Sequence, residues 1–166
     1  MKKRFKILLI IFILGFCIPE HFIMPVKDAS RSDYNQDSFW YYPWGKSGTH
    51  KGVDIFGKKG QELNASINGL VLYTGEIKYG GNVIIVLGPK WRFHYYAHLN
   101  EIKTEFGDIV YSGEQIGTIG DSGNAKGKQP HLHYSISTLI PQFWNIDTEP
   151  QGWKKMFYVN PIPLLN

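Results

Sequence analysis

The sequence predicts an all-β domain behind an N-terminal export segment, and three observations predict it. The chain opens with Lys2, Lys3, Arg4 and Lys6 and continues as an apolar run from Ile7 to Pro19, the charge-then-hydrophobe order of a secretory signal. From Phe39 to Ser137, short β-branched or aromatic runs alternate with Gly, Asn and Lys, and no amphipathic helical period interrupts them. The tail from Thr138 onward is richer in Pro and Trp; one helical turn is expected over Trp153–Phe157, with the tail folded back on the sheet.

Taken in order, residues 1–26 read as a signal peptide or membrane anchor. No small-x-small cleavage site follows the apolar run, and the run is short for a full span, so both fates are compatible with it. Cys17 follows a bulky Phe16 where lipid attachment wants a small residue, and lipidation is not expected. Residues 27–38 read as a polar linker and 39–166 as the folded domain, entered through an aromatic cluster of Phe39, Trp40, Tyr41, Tyr42 and Trp44. The strand-like runs are then "GLVLYT", "NVIIVLG", "FHYYAHL", "DIVYSG", "QIGTIG" and "HLHYSIS". Internal repeats and low-complexity segments are missing.

The net charge of +4 suggests a polyanion until it is divided along the chain. Residues 1–26 hold four of the 18 Lys and Arg and one of the 14 Asp and Glu, which leaves 14 against 13 in the remainder. The exported part is close to neutral, so no nucleic-acid partner is inferred. The single cysteine lies in the leader, which excludes a disulfide framework and thiol catalysis.

Three local motifs are better read as turns. "GDSG" at 120–123 matches the nucleophile signature of trypsin-like proteases, but that fold needs two barrels and a longer chain. "GKS" at 45–47 resembles the end of a phosphate loop whose first glycine would fall on Trp40. "FGDIVYSGEQIGTIG" has the glycine spacing of biotin- or lipoate-bearing barrels without a lysine at the hairpin tip.

The histidines carry more. In "HLHYSIS" side chains alternate between faces, so His131 and His133 point one way if Leu132 points into the core. In "HKGVD" His50 and Asp54 stand four apart, an even separation that brings both to one face. His50, Asp54 and His133 make a set of three N/O ligands with room for water, the composition of a catalytic zinc site; a structural zinc would call for thiolates that the domain lacks. Metal-assisted hydrolysis also needs a base and a donor, and His98 and His131 are the candidates, since no His-Glu-x-x-His helix supplies a glutamate. His94 would share a face with His98 in an extended strand and is assigned a structural or solvent role. His21 is assigned none.

"HKGVD", "YYAHL" and "SGNAKGKQPHLHYSI", in that order, resemble the three motifs of the M23 zinc metallopeptidases, the lysostaphin/LytM type. The likeness runs from about Phe39 to Ser137, with motif core 46–137, and "NPIPLL" resembles the family's closing stretch. It implies an antiparallel, sandwich-like β fold with a zinc groove, metal ligands at His50, Asp54 and His133, and catalytic roles for His98 and His131. It also implies a Zn2+ endopeptidase acting on peptidoglycan peptide stems, expected as a monomer; the leader places it in the periplasm or cell envelope, with inner-membrane attachment through the N-terminal segment if that segment is retained. Family members cut either glycine-rich bridges or D-alanyl-diaminopimelate cross-links; a small domain without wall-targeting repeats and the form of the "SGNAKGKQPHLH" loop favour the second. The alternative is a non-catalytic relative that binds wall or activates an amidase. Tyr41, Tyr42 and Trp44 compete for the tyrosine that members often carry at the groove rim. Lys126 and Lys128 lengthen the loop before His131; the two readings are contact with substrate carboxylates and simple solvation, and solvation is favoured.

Overall fold

Each of the six expected runs pairs with neighbours rich in the same β-branched and aromatic residues, and the pairing is antiparallel throughout. The computed structural model describes residues 2–165. Among these, the strands are β1 (Val53–Phe56), β2 (Glu62–Asn64), β3 (Gly69–Ile77), β4 (Gly81–Gly88), β5 (Arg92–Ile102), β6 (Ile109–Val110), β7 (Gln115–Ile119), β8 (His131–Thr138) and β9 (Tyr158–Val159). They form one hydrogen-bonded network in the order β1-β8-β5-β4-β3-β6, with β7 joining β2 to the far end of β5 and β9 lying beside β8. The mostly antiparallel β architecture agrees with the expectation; β1, β2 and β9 are additions, too short to register as β-branched runs.

The chain begins with helix α1, Lys2–Cys17. None of the helices among the described residues is long and apolar enough to cross a membrane. Beyond α1 the chain is built into the sheet. The Ile23 N–H donates to the Ser66 carbonyl, the Asn64 N–H donates to the Pro25 carbonyl, and Val26 bridges Leu63. Composition predicts a linker over 27–38, yet Tyr34 bridges Ile55 and joins Val26 in the core. Two apolar anchors among polar residues are too sparse a pattern for sequence periodicity to register.

The core lies beneath β8, β5 and β4, where Leu132, Tyr134, Ile136, Tyr96 and Ile84 are fully buried. Burying a leucine such as Leu132 stabilises the fold by about 1.5–3 kcal/mol, and it also fixes the register. With Leu132 inward, His131 and His133 stand on the opposite face, as the alternation predicts. The tail closes the structure, with a 3-10 turn at Gly152–Phe157, β9 on β8, and Ile162 and Leu165 in the core.

Candidate metal centre and groove

A groove of ≈ 1040 Å³ crosses the sheet face that carries the odd-numbered residues of β8. Strands distant in sequence meet there: β8 pairs with β1 on one side and β5 on the other, so Asp54 stands opposite His133, and His133 opposite Ala97. The "HKG" turn ahead of β1 brings in His50. Gly52 is required in that turn because a Cβ would collide with the Tyr134 carbonyl and lie 3.1 Å from the His133 ring. The hydroxyl of Ser135 donates to the Lys51 carbonyl at 2.6 Å and ties the turn to β8.

Three donor atoms converge. His133 Nδ1 lies 2.7 Å from Asp54 Oδ1, and His50 Nε2 lies 3.1 Å from each of Asp54 Oδ1 and His133 Nδ1. This triangle is slightly tighter than the spacing of about 3.3 Å between donors on a tetrahedral zinc with bonds of about 2.0–2.1 Å, and one side of it faces the groove. The residues therefore fit a three-ligand metal site. His50 is held for that purpose: its Nδ1–H donates to the Ser38 carbonyl at 2.9 Å, which leaves Nε2 as the lone-pair nitrogen, and the Trp44 ring stacks on the imidazole at 4.2 Å. Burial pushes the Asp54 carboxyl up, but its close contacts with the His133 and His50 rings outweigh it, holding Asp54 ionised well below the usual carboxylate range.

The other two histidines stand beside this set. The His131 and His98 rings are 5.0 Å apart, edge to face, and His98 is 6.1 Å from His133. A backbone carbonyl can only accept, so each ring carries its proton on Nδ1, donated to Gln129 at 2.8 Å in His131 and to Ser122 at 3.0 Å in His98. In the neutral tautomer this leaves Nε2 as the lone-pair nitrogen of each ring. Burial, reinforced by the charges of His131 and His133, brings His98 down to about 4, so its imidazole is neutral at ordinary pH.

His98 reaches the groove by a backbone device. Against β4, Asn82 pairs with Leu99 and Ile84 with Tyr96, so β5 carries one extra residue, and His98 occupies it at φ 66. This bulge, where β5 leaves β8 and joins β7, turns His98 to the groove side. The expectation that His94 and His98 share a face is thereby corrected: His94 is fully buried on the core side, while Phe93, Tyr95 and Ala97 line the groove. Left-handed backbone at a histidine costs about 1–2 kcal/mol, and the surrounding strands hold it there.

The "GDSG" turn supports this bulge. Ser122 accepts His98 through its carbonyl and the Asn82 N–H through its hydroxyl, and a Cβ on Gly123 would strike the Gly81 backbone. Among the rim aromatics, Trp44 lines the groove and Tyr41 and Tyr42 do not; Tyr79 and Tyr95, not singled out by sequence, do. Tyr95 sets its edge against His133 at 6.3 Å, and parity with Ala97 was the signal that would have found it. Lys126 and Lys128 are both exposed, as expected, and Lys128 also borders the groove, whereas Lys126 does not.

Comparison with known proteins agrees with this picture. The model of peptidase family M23 matches residues 48–146. The chain is 34% identical to the L-Ala–D-Glu endopeptidase of Bacillus subtilis over 142 residues, 77% of this chain and 43% of that protein. It is 31% identical to the peptidoglycan DD-endopeptidase ShyA of Vibrio cholerae over 113 residues, 68% of this chain and 26% of that one. It thus spans less than half the length of these curated relatives. The catalytic domain of the antimicrobial peptidase lysostaphin from Staphylococcus simulans superposes with a TM-score of 0.63 at 26% identity, covering 82% of this chain and 97% of that domain. Sequence, fold and site geometry lead to one assignment: the chain belongs to peptidase family M23.

Proposed function

We propose that this chain is a zinc endopeptidase that hydrolyses D-alanyl-diaminopimelate cross-links of peptidoglycan during wall remodelling in the cell envelope. The observation that carries the reading is the convergence of His50, Asp54 and His133 within 3.1 Å, with the lone-pair Nε2 atoms of His98 and His131 beside them. A protein that only bound wall or activated another enzyme would not need the two extra imidazoles, their tautomers fixed, next to a complete donor set.

His50, Asp54 and His133 would hold the metal. When bound, zinc supplies a Lewis acid for the scissile carbonyl and lowers the pKa of water at the site. The groove orients the substrate backbone along β8 and β5. His98 and His131 divide the proton work: one Nε2 accepts the proton of the attacking water and, so protonated, passes that proton to the departing amine, while the other ring, protonated from solvent, donates toward the oxyanion. Their anchoring to Ser122 and Gln129 fixes the ring orientation before substrate arrives.

The test is incubation of the full chain and zinc with cross-linked diaminopimelate-type sacculi, followed by mass spectrometry of the fragments. Conversion of dimers to monomers with intact stems, abolished by chelator and by Asp54→Ala, is expected. Elemental analysis of Asp54→Ala should show zinc content well below one equivalent. Cleavage confined to a different bond would overturn the substrate assignment, and full zinc occupancy in the variant would overturn the ligand assignment.

A further inference from the structure

Charge along the groove is unequal, and the inequality identifies a substrate group. The walls carry Lys46, Lys51 and Lys128 against a single carboxylate, Asp54, which is engaged with His50 and His133. Lys51 is occupied as well: its ammonium donates to the carbonyls of Ser47 and Thr49 and lies 5.6 Å from the Trp40 ring. Acidic residues in the neighbouring loops are neutralised at home, Asp121 by Lys59 at 2.8 Å, and Asp147 and Glu149 by Lys155. The ammonium groups of Lys46 and Lys128 have no ion pair or hydrogen bond among the described residues.

These two lysines belong to one end of the groove. Lys46 lies 5.8 Å from the Tyr79 ring centroid. The Tyr79 carbonyl accepts the Asn124 N–H, and the next residue, Ala125, accepts the Lys128 N–H. Tyr79 therefore joins the turn carrying Lys46 to the loop carrying Lys128, beside His98 and three residues before His131. Elsewhere the floor is neutral, with Leu72, Ile85, Phe93 and Ser137. A groove that is cationic at one end and neutral along its floor matches a peptide with a free carboxylate beside the bond to be cut.

We propose that Lys46 and Lys128 form a carboxylate-binding subsite at the His98/His131 end of the groove, selecting acidic stem peptides over neutral oligoglycine. The proposal deepens the endopeptidase reading and rests on it. Each lysine forms a charge-assisted contact to a carboxylate oxygen, and the same substrate with that carboxylate converted to a carboxamide loses the charge and one of its two acceptor oxygens. This makes side-chain amidation of wall peptides a determinant of which of them are bound.

The experiment compares cross-linked stem peptides as free acids and as carboxamides, with pentaglycine as the neutral reference, on the zinc-loaded full chain. Binding is followed by calorimetry and cleavage by chromatography. The acid is expected to bind about tenfold more tightly than the amide, the size of one to two charge-assisted contacts at a solvated rim. The preference should fall with ionic strength, disappear in the Lys46→Gln/Lys128→Gln double variant, and survive in Lys46→Arg/Lys128→Arg. Equal binding of acid and amide, or a preference that persists in the double glutamine variant, would overturn the subsite. The two readings fail separately: acid-selective binding without cleavage retains the subsite and removes the endopeptidase, while cleavage with no acid preference does the reverse.

Discussion

His94 shows how one residue can couple this fold to pH without touching the groove. Its Nδ1 lies 2.7 Å from the Tyr134 hydroxyl, which with the Tyr96 hydroxyl converges on the side chain of Ser66. Burial, with the Arg92 charge as a lesser cause, lowers the His94 pKa from 6.5 to about 3. The folded protein thus keeps this imidazole neutral where the unfolded chain protonates it. Its contribution to stability is complete above about pH 6.5 and is lost as pH falls toward 3, at no more than about 1.4 kcal/mol per pH unit. Urea unfolding at a series of pH values should give a shallower acid slope for His94→Gln than for the unaltered chain; identical slopes would contradict the burial argument. At this scale the candidate site was largely legible, because imidazole and carboxylate announce their chemistry and even spacings place them on faces. The carbonyls of Ser38, Ser122 and Gln129, which set the tautomers, were not legible: every residue carries a carbonyl, and only the fold decides which one meets a ring.

Elements were legible where a strand runs unbroken and illegible where it is interrupted. β8 obeys the alternation throughout, so the orientation of His131 and His133 follows from Leu132 alone. β5 reads the same way in sequence, yet the extra residue at His98 reverses its parity, and nothing in "FHYYAHL" marks the bulge. The segment after α1 was hidden for another reason, since its apolar anchors are sparse and the rest of its anchoring is through backbone hydrogen bonds and an ion-pair cluster. Glu20, nearly buried at 7% side-chain exposure, pairs with Arg92 at 2.9 Å and Lys90 at 2.7 Å, and Phe22 packs near His94 with ring centroids 5.8 Å apart. Removing Glu20 leaves the Arg92 guanidinium, 16% exposed, without its counter-charge, while Lys90, 41% exposed, keeps its water. Glu20→Ala should therefore lower unfolding free energy by about 2–3 kcal/mol, measured by urea denaturation. Lys27→Ala, which breaks the exposed pair with Glu62, should have little effect. Comparable losses in the two variants would show that the Glu20 cluster is no better than a surface pair.

For the molecule as a whole, the antiparallel order places β1, β5 and β8 side by side although loops and other strands separate them in sequence, and this is why motifs far apart in the chain make one site. The all-β class followed from composition, whereas the order of strands was not legible, since register between distant strands depends on pairings that local pattern does not encode. The same global packing constrains how the chain can be processed. Composition draws the end of the leader at Val26, but Val26 is fully buried in the core and Glu20 is tied to β5. Removing residues 20–26 would take away the Val26–Leu63 bridge, the hydrogen bonds at Ile23 and Pro25, and the counter-charge of Arg92. A basic start followed by an apolar run nevertheless has the residue order of an export segment. The expected outcome is that native protein fractionates with the envelope and that its first residue, read by N-terminal sequencing, is Met1 or a position no later than Glu20. A mature terminus beyond Val26 would show that this segment is dispensable to the fold, and a wholly cytoplasmic protein would remove the export step, and with it access to the wall.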